Sequence, residues 1–460
     1  MGRIRSLLER RFLRDTATLQ VGALLNSAGN LASTFALAHV LGAAEQGRYY
    51  VALALYALLW FLLNQGPISA TVSQVAAARA RGLEEKVAPW LAFLAKAYLA
   101  IGAILFGLGW VVLPLLGRLF DADPASVEWA WWLALTPLVE LPRVVACAAL
   151  QGTRRMLPFA QIENAQEAAR VFLVVAGAVL TGSGAGAVLG TLAASAIGSV
   201  VAVELYRGAR RADPRFCPGV REIAGHVRDV PLARGFPLGF KLGLVRSVDS
   251  LATQVLPALF LARWGSDEWV AYLKIAQRIL SVPLLMMQGI SRNLLPALSE
   301  LAGQRDVARF KRTFVRASLI TGAAISAGLI ACLPVVRLAI GALFPREYHA
   351  PVWTTALILL PGFVVMSFSI ANDTFYLVTN TLKAGVVLCV VGLFVNATVV
   401  ALCARAWPTE GVAWGLSFTM ATATMHYVYA WWWFRRHARA TVSPVPAAPA
   451  AGVPTQPDGS

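Results

Sequence analysis

The sequence predicts an all-α polytopic membrane protein with about 12 transmembrane helices in two six-helix lobes. Of its 460 residues, 58% are hydrophobic and only 14% are charged, and the mean hydropathy is +0.63. This composition excludes an ordinary soluble domain. Apolar runs of about 20 residues, the length that a helix needs to cross the hydrocarbon core, recur along the whole chain.

An internal repeat is the second observation behind this fold class. Nine residues of one window recur without a gap in a second: Val111, Val112, Gly117, Leu119, Phe120, Trp129, Leu133, Leu135 and Pro137 correspond to Val335, Val336, Gly341, Leu343, Phe344, Trp353, Leu357, Leu359 and Pro361. A Trp and a Pro that keep register across a polar loop indicate duplication more strongly than shared leucines do. A duplicated membrane unit predicts a transporter, because two similar bundles can rock about a site between them.

The spans follow from the apolar runs in chain order. In the first half they are predicted at 15–39, 46–74, 88–116, 127–151, 157–181 and 185–206, and in the second at 236–262, 268–296, 311–340, 351–378, 383–404 and 411–434. Six spans per half make the halves parallel repeats that enter the membrane in the same direction. Gln65-Gly66-Pro67 and Gln288-Gly289 interrupt spans two and eight, which leaves open an ordinary kink or a bending point for alternating access.

The formal charge of +16 is explained by membrane topology rather than by nucleic-acid binding. Arginine and lysine cluster before span one, after the even-numbered spans and in the middle linker, so the positive-inside rule predicts that both termini are cytoplasmic. The predicted organisation is a basic cytoplasmic N-terminus (1–14), an N-terminal lobe (15–206), a basic cytoplasmic linker (207–235), a C-terminal lobe (236–436) and a disordered Pro/Ala-rich cytoplasmic tail (437–460). The Arg-rich start lacks a signal-peptide cleavage pattern, so the first span is expected to be retained.

Ionisable side chains within the second half predict a substrate site. Each costs about 3 kcal/mol at the bilayer centre, so it should face a cavity or a partner. Away from the short loop that joins them, spans seven and eight carry five cations and one anion, namely Lys241, Arg246, Lys274, Arg278 and Arg292 against Asp249. The excess of cations predicts a cavity wall that holds a phosphate-bearing substrate, since guanidinium binds phosphate oxygens bidentately. The alternative is a salt bridge from Asp249 to Arg246 or Arg278 that only stiffens or locks the helices.

The first half has the opposite charge balance. Span four contains Glu140 and Arg143, and span five contains Glu163, Glu167 and Arg170 at helical spacing. These three acids and two bases predict either a self-neutralising ion-pair lattice or a site that couples transport to a proton or sodium gradient. Span one adds a polar stripe of Asn26, Asn30, Ser33 and Thr34, and such stripes join helices as readily as they line cavities.

Other chemistries have little support in the sequence. The five cysteines and five histidines are scattered, without metal-ligand or disulfide spacing, so neither a metal nor a cofactor is predicted. The predicted outer loops are too short for the catalytic residues of an oligosaccharide polymerase or ligase, so the protein is not expected to be an enzyme.

Several short motifs resemble those of a known family. Leu41-Gly42 followed by Gly47-Arg48-Tyr49-Tyr50, the Gln65-Gly66-Pro67 break, Ala149 to Arg155, and Leu338 to Gly341 leading to Glu347-Tyr348 are similar to landmarks of bacterial polysaccharide flippases. That family belongs to the multidrug/oligosaccharidyl-lipid/polysaccharide (MOP) exporter superfamily. The resemblance runs from about residue 12 to 436.

The resemblance implies a function. A member of this family would flip a polyprenyl-diphosphate-linked oligosaccharide from the inner to the outer leaflet of the cytoplasmic membrane, for the synthesis of a polysaccharide such as lipopolysaccharide or exopolysaccharide. Its expected partners are that substrate, membrane lipids, a coupling ion (H⁺ or Na⁺) and polysaccharide polymerase machinery, but no nucleic acid. The alternative within the superfamily is a cation-coupled antiporter of drugs or other small molecules, whose cavity would be acidic rather than basic.

Overall fold

The helices of the first half are broken by glycine and proline rather than by long loops. The computed structural model describes residues 2–63, 66–232, 248–284, 294, 298–302 and 306–437. The first half contains α1 (Gly2–Leu63), α2 (Pro67–Ala80), a 3₁₀ turn (Glu84–Lys86), α3 (Val87–Phe120), α4 (Pro124–Leu133), α5 (Thr136–Val139), α6 (Leu141–Gly152), α7 (Met156–Thr181), α8 (Gly184–Ala212) and α9 (Val220–His226).

The second half is also helical throughout its described part. It contains a π-helix (Leu251–Val255), α10 (Leu256–Trp264), α11 (Asp267–Ser281), α12 (Val307–Ala331), α13 (Leu333–Leu343), α14 (Arg346–Ser367), a 3₁₀ turn (Phe368–Ala371), α15 (Asn372–Val378), α16 (Leu382–Ala406), α17 (Gly411–Met420) and α18 (Ala423–His437). No strand occurs in the described ranges. The all-α fold class is therefore confirmed.

Several helices have the length and apolarity of membrane spans. Within the described residues five helices qualify, or six if the pair Pro124–Val139 and Leu141–Gly152, bent by 47°, forms one broken span. The predicted spans 88–116, 157–181 and 383–404 correspond closely to α3, α7 and α16. The chain is thus a polytopic α-helical membrane protein, while the cytoplasmic position of its termini stays a prediction.

Two predicted boundaries are wrong in detail. Spans one and two were expected to be separated by a loop, but α1 runs through both and is kinked at Gly42, whose φ of 71° and ψ of 175° suit only glycine. Span four was expected to be continuous over 127–151, but it consists of α4, α5 and α6, because Pro137 and Pro142 each lack the amide hydrogen that an unbroken helix needs. The predicted break at Gln65-Gly66-Pro67 is confirmed, since α1 ends at Leu63 and α2 begins at Pro67.

The hydrophobic core shows that the two halves meet at one end of the bundle. A large cluster draws on both halves, from Leu37 to Val188 and from Leu251 to Met420. Two further clusters each belong to one half: one spans Val75 to Ile223 and the other Leu294 to Trp433 and Phe434. We call the end with the shared core the joined end, marked by Arg48 and Asp267, and the opposite end the separate end.

Candidate functional site

The first cluster of ionisable side chains lies inside the N-terminal half. Arg143 of α6 contacts Glu140 at 2.7 Å and Glu163 of α7 at 2.6 Å. Glu140 also accepts hydrogen bonds from Gln166 at 2.6 Å and from Ser195 of α8 at 2.8 Å. The Arg143 guanidinium therefore joins two carboxylates from different helices. A buried charge needs such oppositely charged partners.

The second cluster connects α7 to α1. Arg170 binds both carboxylate oxygens of Glu167, at 2.9 Å through Nε and 2.6 Å through Nη2. Asn30 of α1 donates through Nδ2 to Glu167 and accepts from Arg170 through Oδ1. Arg143 and Arg170, the two arginines predicted within spans four and five, are therefore both ion-paired, as the lattice alternative expects.

Arg278 extends this polar interior across the two halves. It lies on α11 of the C-terminal half, but its Nη1 donates to the carbonyl oxygen of Asn30 at 3.0 Å and to the hydroxyl of Thr34, both on α1. Its guanidinium carbon lies 6.0 Å from the ring centre of Tyr50. The Arg278 side chain thus reaches the same asparagine that binds Glu167 and Arg170.

The π-helix at Leu251–Val255 interrupts the polar stripe that a regular helix would form in span seven. The carbonyl of Thr253 would normally accept from residue 257, but this residue is a proline without an amide hydrogen. Gln277 of α11 replaces that donor at 2.9 Å, and Lys274 donates to the neighbouring Gln254 carbonyl. Lys274 is therefore held close to the π-helix. Irregular helical turns of this kind often occur at functional sites.

The predicted phosphate wall is only partly described. Lys241, Arg246 and Arg292 lie outside the described residues. Asp249 is exposed immediately before the π-helix, and its carbonyl accepts from the Thr253 hydroxyl at 2.8 Å. Of the six predicted residues, the structure therefore gives the surroundings of Lys274, Arg278 and Asp249, and their role stays a prediction.

A charged cluster closes the joined end. Arg48 of α1 contacts Glu45 at 3.2 Å, Asp123 at 3.2 Å and Asp267 of the C-terminal half at 3.6 Å. Gly47 approaches so closely that a Cβ there would lie 1.8 Å from the Asp267 carbonyl oxygen. Only glycine fits at this crossing of the halves.

Burial and nearby acidic groups act on the carboxyl group of Asp267, which is the first residue of α11. Burial raises the pKa of Asp267 from 3.8 to about 6, and Asp123 and Glu268 act in the same direction, while Arg48 opposes them. The joined end therefore contains a carboxyl group that titrates close to neutral pH.

Two of the sequence motifs meet at this joined end. The buried Tyr348 hydroxyl donates to Gln46 at 3.0 Å, and Glu347 accepts from the Ala43 amide at 3.2 Å. From the sequence, Arg48 belongs to a motif of the family resemblance but has no predicted partner, and Gln166 and Ser195 are not identified. The spacing of Gln166 three residues after Glu163 was a usable signal for Gln166, whereas nothing local indicated that Arg48 faces Asp267.

The fold and this charged interior define a class of membrane transporter. The structure is similar to an inward-facing multidrug resistance MATE family transporter of the MOP superfamily, with 15% identity, a TM-score of 0.71, and coverage of 90% of this chain and 96% of that one. It is also similar to the lipid II flippase MurJ in an inward closed conformation, with 12% identity, a TM-score of 0.64, and coverage of 89% and 86%. The chain therefore has the fold of the MOP superfamily transporters.

The sequence places the chain in one family. Residues 12–302 match the model of the family described as "Polysaccharide biosynthesis protein", so the chain belongs to that family. No curated protein matches the sequence. A MOP superfamily transporter from Pyrococcus furiosus, described by a binding pocket of reverse polarity and a suggested different function, is similar in fold, with 16% identity, a TM-score of 0.57, and coverage of 94% and 96%.

Proposed function

We propose that this protein flips a polyprenyl-diphosphate-linked oligosaccharide from the inner to the outer leaflet of the cytoplasmic membrane. The observation that carries the proposal is the position of Arg278, a C-terminal-half guanidinium held by α1 of the N-terminal half. Family membership supports a role in polysaccharide synthesis. The diphosphate supplies the anion that such an interior cation would bind.

The movement that we propose is alternating access of the two halves. In this proposal the joined end, where Arg48 contacts Asp267, is the closed outer side, and the separate end opens to the cytoplasm. A diphosphate that binds Arg278 competes with Asn30 and Thr34 for the same guanidinium donors. Substrate binding would then weaken a contact between the halves, which is how a ligand shifts a conformational equilibrium.

Coupling to an ion gradient is assigned to the N-terminal half. Glu140, Arg143, Glu163, Glu167 and Arg170 form the proposed coupling network. Within it Glu163 is the most exposed carboxylate, with 41% of its side chain accessible against 17% for Glu140 and 19% for Glu167. Glu163 is therefore the carboxylate that a proton or sodium ion from water would reach.

Translocation of a labelled polyprenyl-diphosphate oligosaccharide in proteoliposomes tests the proposal. Arg278→Gln should lower the rate about 10- to 100-fold, the range for one charge-assisted hydrogen-bonding partner. Arg278→Lys should retain part of the activity. The matched control is Arg263→Gln, which removes an exposed arginine from the last turn of α10 and should leave the rate unchanged.

Two outcomes would contradict this function. Equal transport by the wild type and a folded Arg278→Gln variant would show that Arg278 does not bind the substrate. Efflux of a cationic dye without transfer of any lipid-linked sugar would favour the drug antiporter instead.

A further inference from the structure

Positive charge is concentrated in the first three turns of α12. Arg309, Lys311, Arg312 and Arg316 are all exposed within the first three turns of this helix. Asp306 caps the helix by accepting from the Arg309 amide at 2.8 Å. Among the described residues, Lys311, Arg312 and Arg316 make no ion pair. Like charges four residues apart on a helix, such as Arg312 and Arg316, repel each other, so this cluster lacks a counter-charge that would stabilise it.

The same face of α12 continues as an apolar stripe. Val315, Leu319 and Ile320 are 39%, 56% and 57% exposed, and Ile330 further along is 54% exposed. The opposite face buries Phe310 and Phe314 against the aromatic rings of the C-terminal half. In a membrane-spanning helix, an exposed apolar stripe is covered by lipid chains. The cations therefore lie where this stripe reaches the headgroup layer.

A groove connects the charged and the apolar parts of this face. This groove is shallow and open, and its described lining comes from α12 alone: Lys311, Arg312 and Arg316 together with Val315, Leu319 and Ile320. Arg312 and Arg316 are one helical turn apart, about 6 Å along the axis. Two guanidinium groups at that separation can both reach the oxygens of one phosphate diester.

We propose that this groove binds the phosphate headgroup of an anionic phospholipid, whose acyl chains lie along Val315, Leu319 and Ile320. The apolar lining favours a lipid over free phosphate, which has no group to cover it. α12 packs on α14 and α18 of its own half, so the site is separate from the contact of Arg278 with α1. The inference therefore does not depend on the substrate proposed above.

Thermal unfolding of the full-length protein in zwitterionic detergent, with and without added phosphatidylglycerol, tests the site. Phosphatidylglycerol should raise the Tm of the wild type because a ligand that binds only the folded state stabilises it. The groove variant Lys311→Gln/Arg312→Gln/Arg316→Gln should lose this shift. Each cation contributes about fivefold to binding of an anionic surface, so native mass spectrometry should show roughly hundredfold weaker lipid binding.

A charge-matched variant separates a built site from general surface charge. Arg81→Gln/Arg211→Gln/Arg221→Gln also removes three exposed cations, and it should keep the phosphatidylglycerol shift. Without anionic lipid the groove variant should be at least as stable as the wild type, because its substitutions remove the repulsion between Arg312 and Arg316, four residues apart on the helix. The groove variant is therefore expected to fold both with and without phosphatidylglycerol.

Three results would overturn the inference. Equal loss of the Tm shift in both triple variants would show that phosphatidylglycerol responds to the overall charge of the protein rather than to this groove. An equal shift with phosphatidylcholine would show that the headgroup charge does not matter. An equal shift with inorganic phosphate would assign the groove to a free anion rather than a lipid.

Discussion

At the scale of single residues, Glu163 differs from the other interior carboxylates. It shares Arg143 with Glu140, but it lies on the more accessible side of that arginine. If Glu163 is neutralised, Arg143 keeps Glu140 as its partner, so no uncompensated guanidinium is left in the interior. Glu163 can therefore change its charge at a lower cost than Glu140, whose carboxylate also accepts from Gln166 and Ser195.

This difference predicts the effect of Glu163→Gln. The variant should fold, and transport in proteoliposomes should proceed at a rate that no longer responds to an imposed proton or sodium gradient. Glu204→Gln, which removes an exposed carboxylate at the end of α8, should keep the gradient response of the wild type. A Glu163→Gln variant that is stimulated as strongly as the wild type would rule out this coupling role.

The residue-scale contacts were only partly predictable. Glu140 with Arg143 and Glu167 with Arg170 follow from spacing of three residues on one helix. The contact of Arg143 with Glu163 joins two helices, and no local pattern specifies which helix faces which. The same is true of Arg278 and Asn30, which are 248 positions apart.

At the scale of secondary-structure elements, α7 and α8 form a closely packed pair. A Cβ at Gly177 would lie 2.1 Å from the Gly186 carbonyl oxygen, and one at Gly190 would lie 2.2 Å from that of Leu173. Small residues let the backbones of neighbouring membrane helices approach this closely. The hairpin thereby fixes α7, which carries Glu163, Glu167 and Arg170.

Gly190→Ala should consequently destabilise the protein. The added methyl group meets backbone that cannot move without separating the helices, so a loss of about 1–3 kcal/mol is expected. Gly208→Ala on the same helix is the control, since nothing lies within 4 Å of its Cβ position. That control should be neutral or stabilising by up to about 1 kcal/mol. Equal melting temperatures of the two variants would contradict the close approach.

Span seven shows how an element departs from its sequence pattern. Arg246, Asp249, Ser250 and Thr253 predict a straight polar stripe if the helix is regular. The described part instead contains a π-helix, and Pro257 removes a backbone donor that Gln277 of α11 replaces. A proline at a helix start is visible in the sequence, but the donor that compensates for it is not.

At the scale of the whole molecule, the halves are held together around Arg48. This guanidinium contacts three carboxylates, of which Asp267 comes from the C-terminal half. Because the pKa of Asp267 is raised from 3.8 to about 6, the folded protein binds this proton more tightly than the unfolded chain does. The contribution of Asp267 to stability therefore falls as pH rises from about 4 to 6, and then stays constant.

The melting temperature should reveal this titration. Between pH 4.5 and 7, Asp267 should lower the free energy of unfolding by on the order of 2 kcal/mol. Asp267→Asn should remove that part of the pH dependence. Asp121→Asn is a control at the same end, where an asparagine tolerates the positive φ of 52°. An unchanged pH profile in Asp267→Asn would contradict the raised pKa.

The all-α membrane class, the helical break before Pro67 and the family resemblance can be predicted from the sequence alone, because apolar length, proline and glycine act locally along the chain. The sequence also identified the ionisable residues that a bilayer interior would not tolerate without partners. The tertiary structure was needed to show that Arg143 pairs with Glu163 of another helix, that Arg278 contacts α1, and that Arg48 joins the halves at one end. Such pairings depend on which helices pack together, and packing is set by contacts between residues distant in sequence.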